Sequence, residues 1–507
     1  MEEKKTSLGV GALVLLFSGI VCKFLGAFFR LPLTNLLGLE GIGIFQLTMS
    51  LYAFCLVVTC GGVTTSLSKL ISSARAKDQK EKIKSFLHRA ILIGFLIGLC
   101  LGLVFFLIWK NLSNLQGTAG NKSYMFFLVL LPIGSLIAVF RGYFQGYEKM
   151  LPTAVSQIVE QVTKFLFGLL FAYIFSKDGV ENGVFGAFLG IVLSECLTLG
   201  LLFVWYSLKK EKLPVFYDDK PAWKEFDKAN FLLMISAVII PLANAFDGLI
   251  IVPRLVQSGL QNGAATRLFG LQSGVVGAVL NFPLVISISI TTSMLPNLSY
   301  FLSKGKMKKG LIEKGLRFVL LSILPATFGI VAISKTLLPL FYTTIDDSLI
   351  ETAFQLMLYG GFAIVLTAIM QYFVMLLEAC GEFRFVLLLT SIGGALKALV
   401  TLLLAAVPAI NIFALVLGNV LLASTVAFFA VLKLKKKIGF QLKITEVALL
   451  LFATSSMFFA VYSFLKCDYF GDLTNLLLAV LIGVTVYSIF VVPILLKIFS
   501  KKRRFSV

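Results

Sequence analysis

RGYFQGYEKMLPTAVSQIVEQVTKF (Arg141–Phe165) carries an arginine, two glutamates and two lysines between two long apolar stretches. The stretches, about residues 124–145 and 152–175, are each long enough to cross a bilayer, which takes about 20 apolar residues. The glycine-containing charged segment joining them reads as a turn, so the chain crosses, turns and crosses back. Glu160 and Lys164 nevertheless fall inside the second stretch. A charge at the bilayer centre costs about 2.5–3.5 kcal/mol on insertion scales. Charges kept at such a position need a partner or a use.

Stretches of this kind recur along all 507 residues, of which 58% are hydrophobic and 14% charged, with a mean hydropathy of +0.96. The chain is therefore expected to be an all-α polytopic membrane protein, since a β-barrel would show short alternating segments. Fourteen spans are counted, at about 8–29, 42–64, 87–109, 124–145, 152–175, 183–207, 230–252, 268–293, 316–341, 353–376, 385–407, 410–432, 444–465 and 473–498. The first begins close behind "MEEKKTS" and is too long for a cleaved leader, so it is read as a span.

The loops bear the count out. Of 45 Lys and Arg, 34 fall on one side, including seven in "SKLISSARAKDQKEKIKSFLHR" (68–89) and five in the tail. The positive-inside rule places both termini in the cytoplasm. The net charge of +20 is thus largely topogenic, with anionic lipid headgroups as its neighbours and no nucleic-acid partner. Seven cysteines without a CxxC pair give no metal or disulfide framework. A single histidine, His88, excludes histidine-based triads, and no cofactor is expected.

Two repeats divide the chain. "TTSLSKLIS" (64–72) follows the second span and "TTSMLPNLS" (291–299) the eighth. The opening stretch resembles "LEACGEFRFVLLLTSIGGALKAL" (377–399), with Lys164 matched by Lys397. Six spans per copy give two pseudo-symmetric lobes of like orientation. The expected parts are an N-terminal lobe at 1–207, a hinge-like cytoplasmic linker at 208–229 and a C-terminal lobe at 230–432. Two extra helices and a basic tail fill 433–507.

Lys23 and Arg30 share one face of the first span, and Asp247 and Arg254 repeat that spacing on the seventh. The bland reading of both arginines is snorkelling to the interface; Lys23 is deeper. Glu160 and Lys164 stand four apart and can pair with each other. Glu195 and Lys397 have no opposite charge within four positions of their own helix, and Glu378 and Lys335 lie near span ends. Lys23, Arg30, Lys164, Arg254 and Lys397 against Glu160, Glu195 and Asp247 make the interior net basic, which suits an anionic cargo and above all phosphate.

"FRGYFQGYEKMLPTAVSQIVEQVTKF" (140–165), "KFLGAFFRLPLTNLLGLEGIGIFQL" (23–47) and "FDGLIIVPRLVQSGL" (246–260) resemble the polysaccharide-exporter branch of the multidrug/oligosaccharidyl-lipid/polysaccharide superfamily. Within it, the likeness is to the group that holds stage V sporulation protein B and the MurJ-like lipid II flippases. The resemblance implies the superfamily's two-lobe, MATE-like fold. It implies a flippase for an undecaprenyl-pyrophosphate-linked saccharide, lipid II first, in peptidoglycan or spore-cortex synthesis at the cell membrane. It also implies pyrophosphate contacts from Lys23, Arg30 and Arg254. Glu160, Lys164, Glu195, Asp247 and Lys397 are then the remaining cleft charges and the candidates for ion coupling. One departure is that Leu31 stands where many relatives carry an acidic residue. The rivals are a cation-coupled multidrug antiporter, a membrane glycosyltransferase and a non-transporting scaffold for cell-wall synthases. The basic interior opposes the first, and the lack of a large acidic extramembrane loop opposes the second.

Overall fold

In lipid a backbone must satisfy its own hydrogen bonds, and long apolar runs without strand-like alternation do so as helices. The computed structural model describes residues 8–118, 120–208, 220–303, 309–439, 444–467 and 471–503. Its helices are α1 (Leu8–Cys60), α2 (Val63–Ala76), α3 (Lys80–Leu115), α4 (Phe127–Gly146), α5 (Met150–Ser176), α6 (Val180–Leu208), α7 (Lys220–Gln257) and α8 (Asn262–Phe269). A π-helical segment, Gly270–Val276, leads into α9 (Gly277–Ser303). Then follow α10 (Lys309–Phe341), α11 (Asp347–Ala379), α12 (Phe383–Leu404), α13 (Phe413–Ile438), α14 (Ile444–Lys466) and α15 (Asp472–Arg503).

Among the described residues, 13 continuous helical stretches are long and apolar enough to cross a membrane. The first runs over 64 residues, Leu13–Ala76. At 1.5 Å per residue it would extend about 96 Å, some three times the hydrocarbon thickness of about 30 Å. It is broken at Gly38 (φ 71°, ψ 179°), between the first two expected spans. Only glycine reaches that conformation at little cost. Counting the two sides of the break separately gives the expected fourteen, and the chain is a multi-pass membrane protein.

The α4–α5 turn is closed by three backbone bonds, Tyr147 N–H to Tyr143 O, Glu148 N–H to Gln145 O and Lys149 N–H to Phe144 O. The α11–α12 turn repeats them 233 residues later, from Cys380, Gly381 and Glu382 to Leu376, Glu378 and Leu377. The same offset carries Lys164 onto Lys397. The two turns are thus closed alike, by a helix-end pattern that also closes α3 at 116–118 and α7 at 258–260.

By packing, the chain forms two compact units. The first holds the residues up to Gly274 with Thr401–Ile412, and the second Val275–Val400 with the chain from Phe413 onward. The first is cored by Leu33, Tyr124, Phe127 and Phe188, with a second cluster of Phe86, Tyr143, Phe144 and Phe226. The other unit is cored by Tyr372, Phe373, Leu377 and Val426. Of the linker expected at 208–229, residues 209–219 lie outside the described residues, and 220–229 form the first turns of α7. That end of α7 is held in the first unit. Arg89 of α3 forks onto Asp227 (2.7 and 3.2 Å) and lies over the Trp223 ring, 4.9 Å from its centroid. Division by packing therefore puts the seventh span with the first unit, whereas the sequence repeat pairs it with span one.

Candidate functional site

The interior of the first unit is organised by the motif SQIVEQ (Ser156–Gln161) on α5. Arg141 of α4 donates its Nε–H to Ser156 Oγ (3.0 Å) and its Nη2–H to Glu160 Oε2 (2.7 Å). Gln161 donates to the other Glu160 oxygen (3.3 Å), and Gln157 accepts from Ser18 of α1 (3.1 Å). Every polar side chain of the motif thus ties α5 to itself or to a neighbour. Glu160 pairs with Arg141 and not with Lys164, which corrects the i, i+4 pairing considered above. It also takes Arg141 out of the turn, where its charge would have been cheap.

The geometry of the hairpin explains why spacing concealed this. Arg141 lies seven residues before the turn residue Glu148, and Glu160 twelve after it, so the two are not level. Side chains tilt toward the N-terminus of their own helix. Arg141 on α4 therefore leans away from the turn and Glu160 on α5 leans back toward it. The long guanidinium stem closes the remaining offset.

α6 closes the cluster. A Cβ on Gly190 would lie 2.4 Å from Gly168 Cα, so α5 and α6 touch through their backbones. That approach brings Ser194 Oγ to the Glu160 carbonyl (2.7 Å), and Thr163 donates to Ser194 Oγ (2.9 Å). One residue on, Glu195 is buried, 7% exposed, and its Oε1 accepts the Tyr52 hydroxyl from the second span. Its Oε2 is buried without a hydrogen-bond partner among the described residues. Tyr52, Ser156, Thr163 and Ser194 were not singled out by sequence. Uncharged hydroxyls on apolar helices are common, and only their convergence marks them.

Lys164 sits half-buried beyond this network, its Nζ 5.9 Å from the centre of the Phe29 ring of α1. Among the described residues it makes no ion pair, yet Glu160, Glu195 and Arg30 lie close enough to act on its charge. The fold thus brings Arg30, Glu160, Lys164 and Glu195 into one neighbourhood.

None of the other candidates is among the charged groups that act on Lys164. Lys23 is exposed on α1. On α7, Asp247 is buried, next to Gly248, where a Cβ would meet Ser50 Oγ of α1 at 2.3 Å. Arg254 is half-buried and donates to Gln257 on its own helix (2.8 Å). Lys397 is buried in the second unit, 4% exposed. No group of three or more His, Cys, Asp or Glu that could hold a metal ion occurs among the described residues.

The family described as polysaccharide biosynthesis protein matches residues 8–302, more than half of the chain. Stage V sporulation protein B of Bacillus subtilis (strain 168) is 25% identical over 62% of this chain and 62% of its own length. Lipid II flippase MurJ of the same organism is 22% identical over 66% of this chain and 65% of its own. The alignments thus span a little under two thirds of each relative. Among solved structures, lipid II flippase MurJ in an inward closed conformation aligns with a TM-score of 0.73 at 14% identity, over 96% of this chain and 99% of that one. The fold matches the superfamily expected from sequence.

Proposed function

The chain belongs to the polysaccharide biosynthesis protein family, and from that membership we propose that it is a flippase that carries a prenyl-pyrophosphate-linked saccharide across the membrane. The cargo is an undecaprenyl-pyrophosphate saccharide, lipid II in the first instance, moved from the inner to the outer leaflet of the cell membrane. Its product feeds peptidoglycan synthesis, including that of a spore cortex. Both termini are cytoplasmic, anionic lipids neighbour the basic loops, and cell-wall synthases are the partners downstream. The names of the two relatives support this reading, as does the agreement of fold with a lipid II flippase.

The observation that carries it is Lys164. It is a cation in the interior of the first unit, next to Arg30 and on an aromatic face, with no ion pair among the described residues. Arg141 cannot serve in the same way, because Glu160 already neutralises it. Lys164 and Arg30 give a pyrophosphate one point charge and one fork of paired donors. Lys23 and Arg254 extend the set of cations in the proposal, with Asp247, Lys397 and the two glutamates as the remaining interior charges. Movement is by alternating access, in which the headgroup crosses through the protein while the prenyl tail stays in lipid. No covalent step is required.

The test replaces the wild-type gene in cells that depend on it with Arg30→Ala or Arg254→Ala. The expected result is loss of lipid II from the outer surface and of cortex. Intact translocation in both variants would sink the anion clamp. Resistance conferred on drug-sensitive cells would instead favour the multidrug antiporter, whose cationic cargo the basic interior disfavours.

A further inference from the structure

Glu195 is a buried carboxyl with one oxygen that has no hydrogen-bond partner among the described residues. It lies on α6, facing three other elements. Tyr52 faces it from the second span and donates to Oε1. Gly134 faces it from α4, where a Cβ would stand 3.8 Å from Glu195 Oε2 and 3.9 Å from the Tyr52 hydroxyl. The charged groups acting on it are Arg141 from α4 and Glu160 and Lys164 from α5; Cys60, on the same helix as Tyr52, is also within its field. Arg141 is committed to Glu160 at 2.7 Å. Lys164 is the one of these cations that holds no carboxylate.

We propose that Glu195 is an exchangeable-proton site, and that its protonation decides whether Lys164 is available to an anionic headgroup. The proposal rests on the reading of Lys164 given above. A carboxylate buried with one donor is poorly compensated, and it becomes tolerable by taking up a proton or gaining a cation. The two outcomes place Lys164 differently. With a proton on Glu195, Lys164 stays over Phe29 and can hold phosphate oxygens. Once that proton leaves to solvent, the ionised carboxylate competes for the ammonium and the headgroup loses its contact. Proton and anion thus bind together and leave together, and by linkage each strengthens the other. A metal cation is the weaker reading of the same carboxyl, because no set of three acidic, Cys or His ligands gathers there among the described residues.

The experiment uses the full chain in lipid nanodiscs, with two readouts. Infrared difference spectra across pH report protonated carboxyl groups without any substrate. Wild type should show a carboxyl band that titrates. Glu195→Gln should abolish that band, and Tyr52→Phe should shift it by removing the bond to Oε1. A titrating band that is unchanged in Glu195→Gln overturns the proposal, as does the lack of any such band in wild type.

Binding of undecaprenyl pyrophosphate is then measured over the same pH range. Wild type should weaken as pH rises, Glu195→Gln should keep the low-pH affinity throughout, and the two should differ about tenfold at the alkaline end, within the usual range for coupled sites. Equal pH dependence in both overturns the coupling. If wild type binds no pyrophosphate lipid at any pH, the flippase reading fails, and the infrared band alone decides whether Glu195 carries a proton.

Discussion

The α4–α5 hairpin and the α11–α12 hairpin turn in the same way and carry a lysine at the same register. Their turns share three hydrogen bonds at an offset of 233 residues, and Lys164 and Lys397 occupy the same register. Their interiors differ. Where the first has Arg141 and Glu160, the second has Val374 and Gly393. At Gly393 a Cβ would stand 2.9 Å from Val426 Cγ2, so α12 approaches α13 closely at the point where α5 carries its glutamate. The hairpin therefore does not need an ion pair to form. At this level of the helices the second copy is held by apolar contact, and the Arg141–Glu160 network of the first is an addition there. That asymmetry is why the first hairpin is the better candidate for binding and for proton exchange.

The largest effect expected from breaking the comparison is at Arg141. Arg141→Met removes one partner of a pair whose side chains are 16% and 24% exposed. It should cost about 3 kcal/mol, because Glu160 is left as an uncompensated charge. Adding Glu160→Met should recover most of the loss by imitating the apolar second hairpin. Thermal unfolding of the purified protein in nanodiscs checks both. A single variant as stable as wild type would mean that the network holds nothing.

A smaller effect separates the two turns. Glu148 (φ 61°) and Gly381 (φ 77°) occupy the same left-handed position. Gly381→Ala should destabilise by about 1 kcal/mol, since a side chain is strained there. Glu148→Gly should be neutral or slightly stabilising, because its contact with Arg75 at 3.8 Å joins two exposed groups and is worth little. Opposite signs in one unfolding assay would confirm that the two turns are alike in backbone and unlike in strain.

The smallest effect is at Glu382, which has Lys149 as its repeat counterpart. Its carboxyl is held below the usual carboxylate range by the hydrogen bond from Lys437 Nζ (2.7 Å). A depressed value contributes stability that is present above the ordinary glutamate pKa of about 4.3 and is lost as pH falls through the folded value. Glu382→Gln should therefore flatten the acid limb of the stability–pH curve and change little near neutrality. An unchanged acid limb would remove the pair from the account.

Much of the fold was legible because lipid leaves few options. Apolar runs of span length and basic residues sorted to one face give the number of spans and the class, and the TTS and GYEK-type repeats give the two copies. Two features were not legible. Gly38, one glycine among 42, terminates the first span only by its dihedral angles. The attachment of α7 to the first unit depends on Arg89 meeting Asp227 across 138 residues, which no local pattern records. In the site, Glu160, Lys164 and Glu195 stood out because charges in apolar helices are conspicuous. Arg141 did not, because position near a turn is a poor guide to where a long side chain ends. Tyr52 could be recognised only through the carboxyl it serves.

Under the proposed function, the interior cation of the first hairpin holds an anionic lipid headgroup during its passage across the membrane. The most direct measurement of this role is labelling of lipid II at the outer surface of cells that carry Lys164→Gln in place of wild type, with equal amounts of protein in the membrane. Labelling is expected to fall to the level of depleted cells. Labelling equal to wild type would contradict that role.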